Sequence, residues 1–205
     1  MESEYLETIL RCHYQERTID KVLWIKSEPA VPSGQNFLSR VTRVKVGVVL
    51  GSGAKRTVSV VVKEALETVA GHWTINSGLF LFETKIFTNV LSKMTDLMYE
   101  FGDKREQLWA NLIAHRQKTI VFEDLKEANY KLDDPHQCLD LAHAKLVIRS
   151  MARLHAMSRV LIQRNELSAN DVQPYSLLVD KDFANKVWGN GLKILSNEMK
   201  RWGLE

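Results

Sequence analysis

The feature that most constrains this chain is a run of alternating valines that ends in a lysine. Thr42, Val44, Val46, Val48 and Leu50 alternate with Arg43, Lys45 and Gly47; Gly51-Ser52-Gly53 follows; Val58, Val60 and Val62 then resume the alternation and run into Lys63. A period of two sends successive side chains to opposite faces of a strand, so one face is apolar and the other carries the charges. The glycines between the two runs suit the positive-φ positions of a tight turn, which makes the segment a β-hairpin. A hairpin is marginal alone, so this one needs more strands and a cover over its apolar face.

The rest of the chain supplies both. Tyr5, Leu6, Ile9, Leu10 and His13 recur at helical spacing, predicting a short amphipathic helix over residues 3–13. Lys21–Ser27 alternates like a strand and ends at Glu28-Pro29, and Ala30-Val-Pro-Ser-Gly34 reads as a turn. Residues 64–77 read as a connection with some helix. From Gly78 the period becomes helical through Leu79, Phe82, Ile86, Phe87 and Val90. Two further apolar runs, Leu108–Ala114 and Thr119–Phe122, flank a turn at His115–Lys118. Asp133-Asp-Pro135 is a helix-start signal, and Ala144, Val147, Met151, Leu154 and Leu161 line one face of a long helix over roughly 138–163. A polar loop follows at 165–176, and Phe183–Trp202 carries a last helix. The fold class is therefore α+β: five antiparallel strands, one helix inserted between the third and fourth, then helices. That is the order of a kinase-like small lobe leading into a helical part.

Composition removes several functional classes. The chain has 205 residues, of which 45% are hydrophobic and 26% charged, so it can build a core and is not a disordered tract. No 18-residue apolar run exists, and Met1-Glu-Ser-Glu is no signal sequence, so the expectation is a cytoplasmic protein without a membrane span. Cys12 and Cys138 make neither a disulfide framework nor a metal quartet and read as reduced thiols. Lys and Arg total 28 against 25 Asp and Glu, a net charge of +3 spread too evenly to favour nucleic acid.

Four local features can carry chemistry. Lys63 closes a valine-rich strand, where its ammonium can meet the phosphates of a nucleotide; the alternative is a solvated strand-end lysine. Glu83 stands in the apolar stretch Phe80–Phe87 and needs a partner if buried, with Lys63 the natural one; the alternative is an outward-facing glutamate. Gly34-Gln-Asn-Phe-Leu-Ser39, with Asn36 and Ser39, can turn its backbone N–H groups toward phosphates or simply connect two strands. Glu123, Asp124 and Leu125 end an apolar strand that leaves for the helical part, which fits a hinge whose backbone groups hold adenine. As an acid/base pair Glu123 and Asp124 are poorly placed, because adjacent strand residues face opposite ways.

Taken in order, Gly34-Gln-Asn-Phe-Leu-Ser39, Val61-Val-Lys63, Leu81-Phe-Glu-Thr-Lys-Ile-Phe87, Ile120-Val-Phe-Glu-Asp-Leu125 and Met151-Ala-Arg-Leu-His-Ala-Met-Ser158 closely resemble the ecdysteroid-kinase-like, or CHK-kinase-like, family. That family is similar to choline and aminoglycoside phosphotransferases and shares the protein-kinase fold. The match covers about residues 34–160; Gln35 stands where Glu is usual, and Phe37 and Phe87 where Tyr is common. The resemblance implies residues 1–125 as the ATP-binding small lobe and hinge, and 126–205 as the start of a helical second lobe. It implies Lys63 on the phosphates, Glu83 paired with it, the Glu123–Leu125 backbone on adenine, and ATP with Mg²⁺ as cofactors. The acceptor would be a hydroxyl of a small molecule, a steroid or similar alcohol. His155, beside Leu154 and Met157, reads as a packed core histidine supporting the catalytic loop.

The residues for transfer itself are missing. The family's His-Gly-Asp loop would supply the base, and a later Asp beside Phe would bind metal. None of His13, His72, His115, His136, His143 and His155 is followed two positions later by Asp. His115-Arg116-Gln117 lies before the hinge, and Asp182-Phe183 has no catalytic loop before it. The expectation is a chain that stops short of its catalytic loop and is inactive alone. The other readings are a non-catalytic nucleotide-binding pseudokinase module, and a ligand-free α+β interaction domain.

Overall fold

The structure, a computed structural model, describes residues 3–13, 19–32, 36, 39–68, 75–76, 78–132, 134, 137–171, 181 and 185–203. The elements follow the predicted order: α1 (Ser3–His13), β1 (Ile19–Pro29), β2 (Ser39–Leu50), β3 (Lys55–Ala65), α2 (Leu79–Lys85), a π-helical segment (Ile86–Leu91), α3 (Ser92–Glu100), β4 (Leu112–Arg116), β5 (Thr119–Glu123), a 3₁₀ turn (Leu125–Ala128), α4 (Leu141–Gln163) and α5 (Asn190–Arg201). The five strands form one sheet in the order β1-β2-β3-β5-β4, antiparallel at every pairing. The expected α+β plan, with its helical stretch between the third and fourth strands, is what the chain adopts.

The alternation decides the two faces. Val44, Val46 and Val48 of β2 meet Val60, Val58 and Arg56 of β3 across the sheet. With Val62 and Val121 these valines are buried, and Leu6, Ile9 and Leu10 of α1 cover them. The opposite face carries Arg43, Lys45, Ser59 and Lys63. There Gly47 sits opposite Trp24 of β1, and a Cβ on Gly47 would come within 2.3 Å of the indole, so the ring lies where only glycine leaves room.

A second core lies among the helices. Val90, Leu91, Met94, Leu97 and Met98 pack against Met157, Leu161 and Leu167. The π-helical segment joins α2 to α3 with no break in the helical path, since both of its caps keep right-handed helical dihedrals.

Three expectations need correction. The long helix starts at Leu141, where the Asp140 carboxylate caps it by accepting from His143 N–H at 2.8 Å, and not near Asp133-Asp-Pro135. Its buried residues are Met157 and Leu161, with Leu154 and Val160 partly buried beside them; Val147 and Met151 are exposed, because only its last turns meet α3. His155 is exposed and does not pack in a core. The expected loop glycine Gly34, Phe37 and the Asp182-Phe183 phrase lie outside the described residues.

Candidate functional site

Lys63 leaves the charged face of β3 directly opposite Val41 of β2 and Ile120 of β5. Its ammonium donates to both carboxylate oxygens of Glu83 on α2, at 2.8 and 2.6 Å. It also lies 5.6 Å from the centre of the Phe80 ring, which is buried beneath it. Lys63 and Glu83 keep 27% and 30% of their side-chain surface exposed, so solvent reaches the pair. An ion pair this wet contributes about 1 kcal/mol or less to stability. What it does instead is fix the direction of an ammonium on an accessible face. The carboxylate is aimed there by helix geometry. α2 begins after Gly78, whose φ of 73° only glycine takes without strain, and the Gly78 carbonyl accepts the first helical bond from Phe82 N–H at 2.8 Å. The expected pairing of these two residues, twenty positions apart, is therefore present.

The hinge holds an arrangement that reading the sequence missed. Asp124 was expected to matter only through its backbone. Its carboxylate is instead buried on the charged face, where it accepts from Arg43 Nε at 2.7 Å, Arg43 Nη2 at 3.2 Å and Ser59 Oγ at 2.6 Å. Lys126 N–H donates to the same carboxylate, capping the 3₁₀ turn. Burial works against its charge, but the bonds from Arg43, Ser59 and Lys126 outweigh it and hold the carboxyl below the usual range. Arg43 is correspondingly pushed up, mainly by its bond to Asp124. The available signal was a charge and a hydroxyl, Arg43 and Ser59, at the same parity on neighbouring strands.

Glu123 faces the other way, as period two requires, and its side chain accepts from Asn111 N–H at 2.7 Å. Its own N–H donates to Asn111 C=O, the Asp124 C=O accepts from Glu127, and the Leu125 C=O accepts from Tyr130. Three backbone groups of the expected adenine hinge are thus in use within the chain. Leu125 N–H has no partner among the described residues. Ser39 is buried at the start of β2, on the same sheet face as Lys63, and Asn36 is exposed.

The sheet and the helices meet around Lys63. Phe87 and Phe122 stack tilted across the junction with centroids 4.8 Å apart, and Phe80 and Ile120 are buried there while belonging to neither core. Farther along, Arg153 of α4 donates to Asp103 and to Glu106 C=O. Arg105, ahead of Arg153, holds the Asp103 carboxyl well below the ordinary range. No group of three His, Cys, Asp or Glu that could hold a metal ion gathers among the described residues. No described helix is long and apolar enough to cross a membrane.

Compared with known proteins, residues 33–202 match the model of one family, described as the ecdysteroid kinase-like family. No curated protein and no solved structure matches the chain.

Proposed function

The chain belongs to the ecdysteroid kinase-like family, and on that premise we propose that it is the nucleotide-holding part of an ATP-dependent phosphotransferase. The observation that carries the reading is the Lys63–Glu83 pair, set on an accessible sheet face at the junction of strand and helix. An ammonium fixed in this way offers phosphate oxygens a charge whose direction is already set. Glu83 keeps Lys63 from following the phosphates into solvent. Ser39, on the same face, offers a hydroxyl to the phosphate end. Leu125 N–H, without a partner among the described residues, is the hinge donor for adenine, and the Arg43–Asp124 pair holds that hinge against the sheet. Bound ATP would supply the phosphoryl group.

The family points to a hydroxyl of a steroid or similar alcohol as acceptor, in a protein that also carries a base and metal ligands. No histidine here begins the His-x-Asp phrase that such a base requires. We therefore propose nucleotide binding without transfer by these 205 residues. The residues 1–125 and 126–205 are proposed as small lobe with hinge, and as the start of a second lobe.

The test is a titration of the chain with ATP, followed by a transfer assay with Mg²⁺ and an ecdysteroid. Saturable binding that Lys63→Ala removes, with no phosphorylated steroid, is the expected result. Absence of saturable binding in the unaltered chain would sink the reading, and turnover that depends on Lys63 would overturn the inactivity.

A further inference from the structure

We infer that the turn after α4 is a clip that positions Glu83, with Asp171 as its positioning residue. The inference rests on the reading of Lys63 as a phosphate ligand only in what the clip is for; the clip itself is a matter of geometry.

Glu83 depends on what supports α2. α2 is seven residues long, and C-terminal to it the chain passes through the π-helical segment before reaching α3. Helix of this length has little stability of its own, and π turns are rare departures from the regular helical ladder. Val90 and Leu91 at the end of the π segment, and Met94, Leu97 and Met98 of α3, anchor the stretch in the helical core, and all lie C-terminal to Glu83. The core therefore grips α3 and the end of the π-helical joint, while the carboxylate sits N-terminal to that grip.

The segment 164–171 braces that joint from outside. Asp171 Oδ1 accepts from Asn89 Nδ2, in the π segment, at 2.9 Å. Lys85, two residues beyond Glu83, donates to Asn170 C=O at 3.0 Å and lies 3.9 Å from the Asp171 carboxylate. Lys93 donates to Glu166 C=O at 2.6 Å, and Arg164 pairs twice with Glu100, at 2.6 and 2.8 Å. Between these contacts Leu167 is buried in the helical core, which fixes the segment in place. The turn also holds its own shape. Asp171 Oδ2 accepts from both the N–H and the hydroxyl of Ser168, at 2.9 and 2.8 Å. One carboxylate thus uses one oxygen to shape the turn and the other to hold the joint.

The spacing of the gripped residues fits this role. Lys85, Asn89 and Lys93 lie four apart, on one side of the helical path. The brace therefore runs along the outside of the joint from α2 to α3. Loss of Asp171 frees the middle of that line and lets α2 swing, carrying Glu83 away from Lys63.

The experiment reads the ion pair directly. The rate at which an amine-reactive reagent labels Lys63 is followed by mass spectrometry and divided by the rate at Lys55, an exposed lysine on the same strand. A paired ammonium must give up two hydrogen bonds before it can react, so Glu83→Gln is expected to raise the ratio on the order of tenfold. Asp171→Ala is expected to raise it about threefold or more, and the two together no further than Glu83→Gln alone. Asn89→Ala removes the same bond from the other side and is expected to act in the same direction, so the inference stays testable if Asp171→Ala fails to fold. A purely structural role would lower the unfolding midpoint and leave the ratio unchanged, which would overturn the inference. ATP titration of the same variants is the separate arm. If the unaltered chain binds no ATP, the functional reading falls while the labelling ratio still decides the clip.

Discussion

The two cores of this molecule are built by different rules. The sheet core is sealed: strands pair at every step, α1 covers the valine face, and its large central side chains are wholly buried. The helical region is more open: Leu141, Ile148 and Met151 of α4, the helix whose last turns join that core, are exposed, as are Leu192 and Ile194 of α5. Backbone ladders give the first region its register, whereas the second depends on side-chain packing and side-chain hydrogen bonds. The candidate site lies between them. A rigid sheet presents Lys63, and a helix on a softer foundation presents Glu83. Any difference in firmness between the two regions is therefore felt first at their ion pair.

Four experiments would break or sharpen this contrast. The largest effect is expected from Arg43→Met, which leaves Asp124 buried without its cation and should cost about 3–5 kcal/mol in urea denaturation. Acid then separates the variant from the parent. In the parent, the Asp124 carboxyl is held below its ordinary range, so the unfolded chain binds the proton more readily. That stability is present above the ordinary carboxylate pKa and is lost as pH falls through the native one. In the variant, only the bonds from Ser59 and Lys126 oppose burial, so the loss in acid should shrink. An equal acid loss in both would mean the hinge is not held this way.

Next, Leu161→Ala in the helical core and Leu10→Ala in the sheet core should each cost about 3 kcal/mol. Fluorescence of single-tryptophan variants, one keeping Trp109 against the helical core and one keeping Trp24 on the sheet, reports the two regions separately. If Leu161→Ala moves both signals equally, the two cores unfold as one and the contrast fails. A smaller effect is expected from Glu83→Gln, about tenfold weaker ATP binding or ~1.4 kcal/mol, with stability changed by less than about 1 kcal/mol. The smallest belongs to Gly47→Ala, where the indole of Trp24 must swing aside at a cost of about 1 kcal/mol. Its emission should shift with no effect on the helical core.

The sheet region was far more legible in the sequence than the helical one, for a physical reason. A strand's period of two shows in a few residues, and Val44, Val46, Val48, Val60 and Val62 are buried where the alternation puts them. Lys63 and Glu83 were legible as a pair because each is a charge where its neighbours are apolar. The helices mislead because a helical stripe says which residues could be covered, not whether anything covers them. Hence Met151 and His155, expected inward, are exposed, while Met157 is buried. The Asp124–Arg43–Ser59 network escaped notice because it joins three distant segments, and no local period marks it. Asp171 escaped for the same reason, its partner Asn89 lying 82 residues away.

The first helix has a consequence for how this chain is made. α1 touches both β1 and β4, the two outer strands of the sheet, and the Arg116 guanidinium of β4 stacks 3.3 Å from the centre of the Tyr5 ring. The residues of α1 are thus finished only by a strand made roughly 100 residues later, which at about 5–20 residues per second is a delay of about 5–20 s. During that wait Leu6, Ile9 and Leu10 have β1, β2 and β3 to rest on but no β4 to hold them there. The sheet closes from its first edge, and the last strand acts as the fastener.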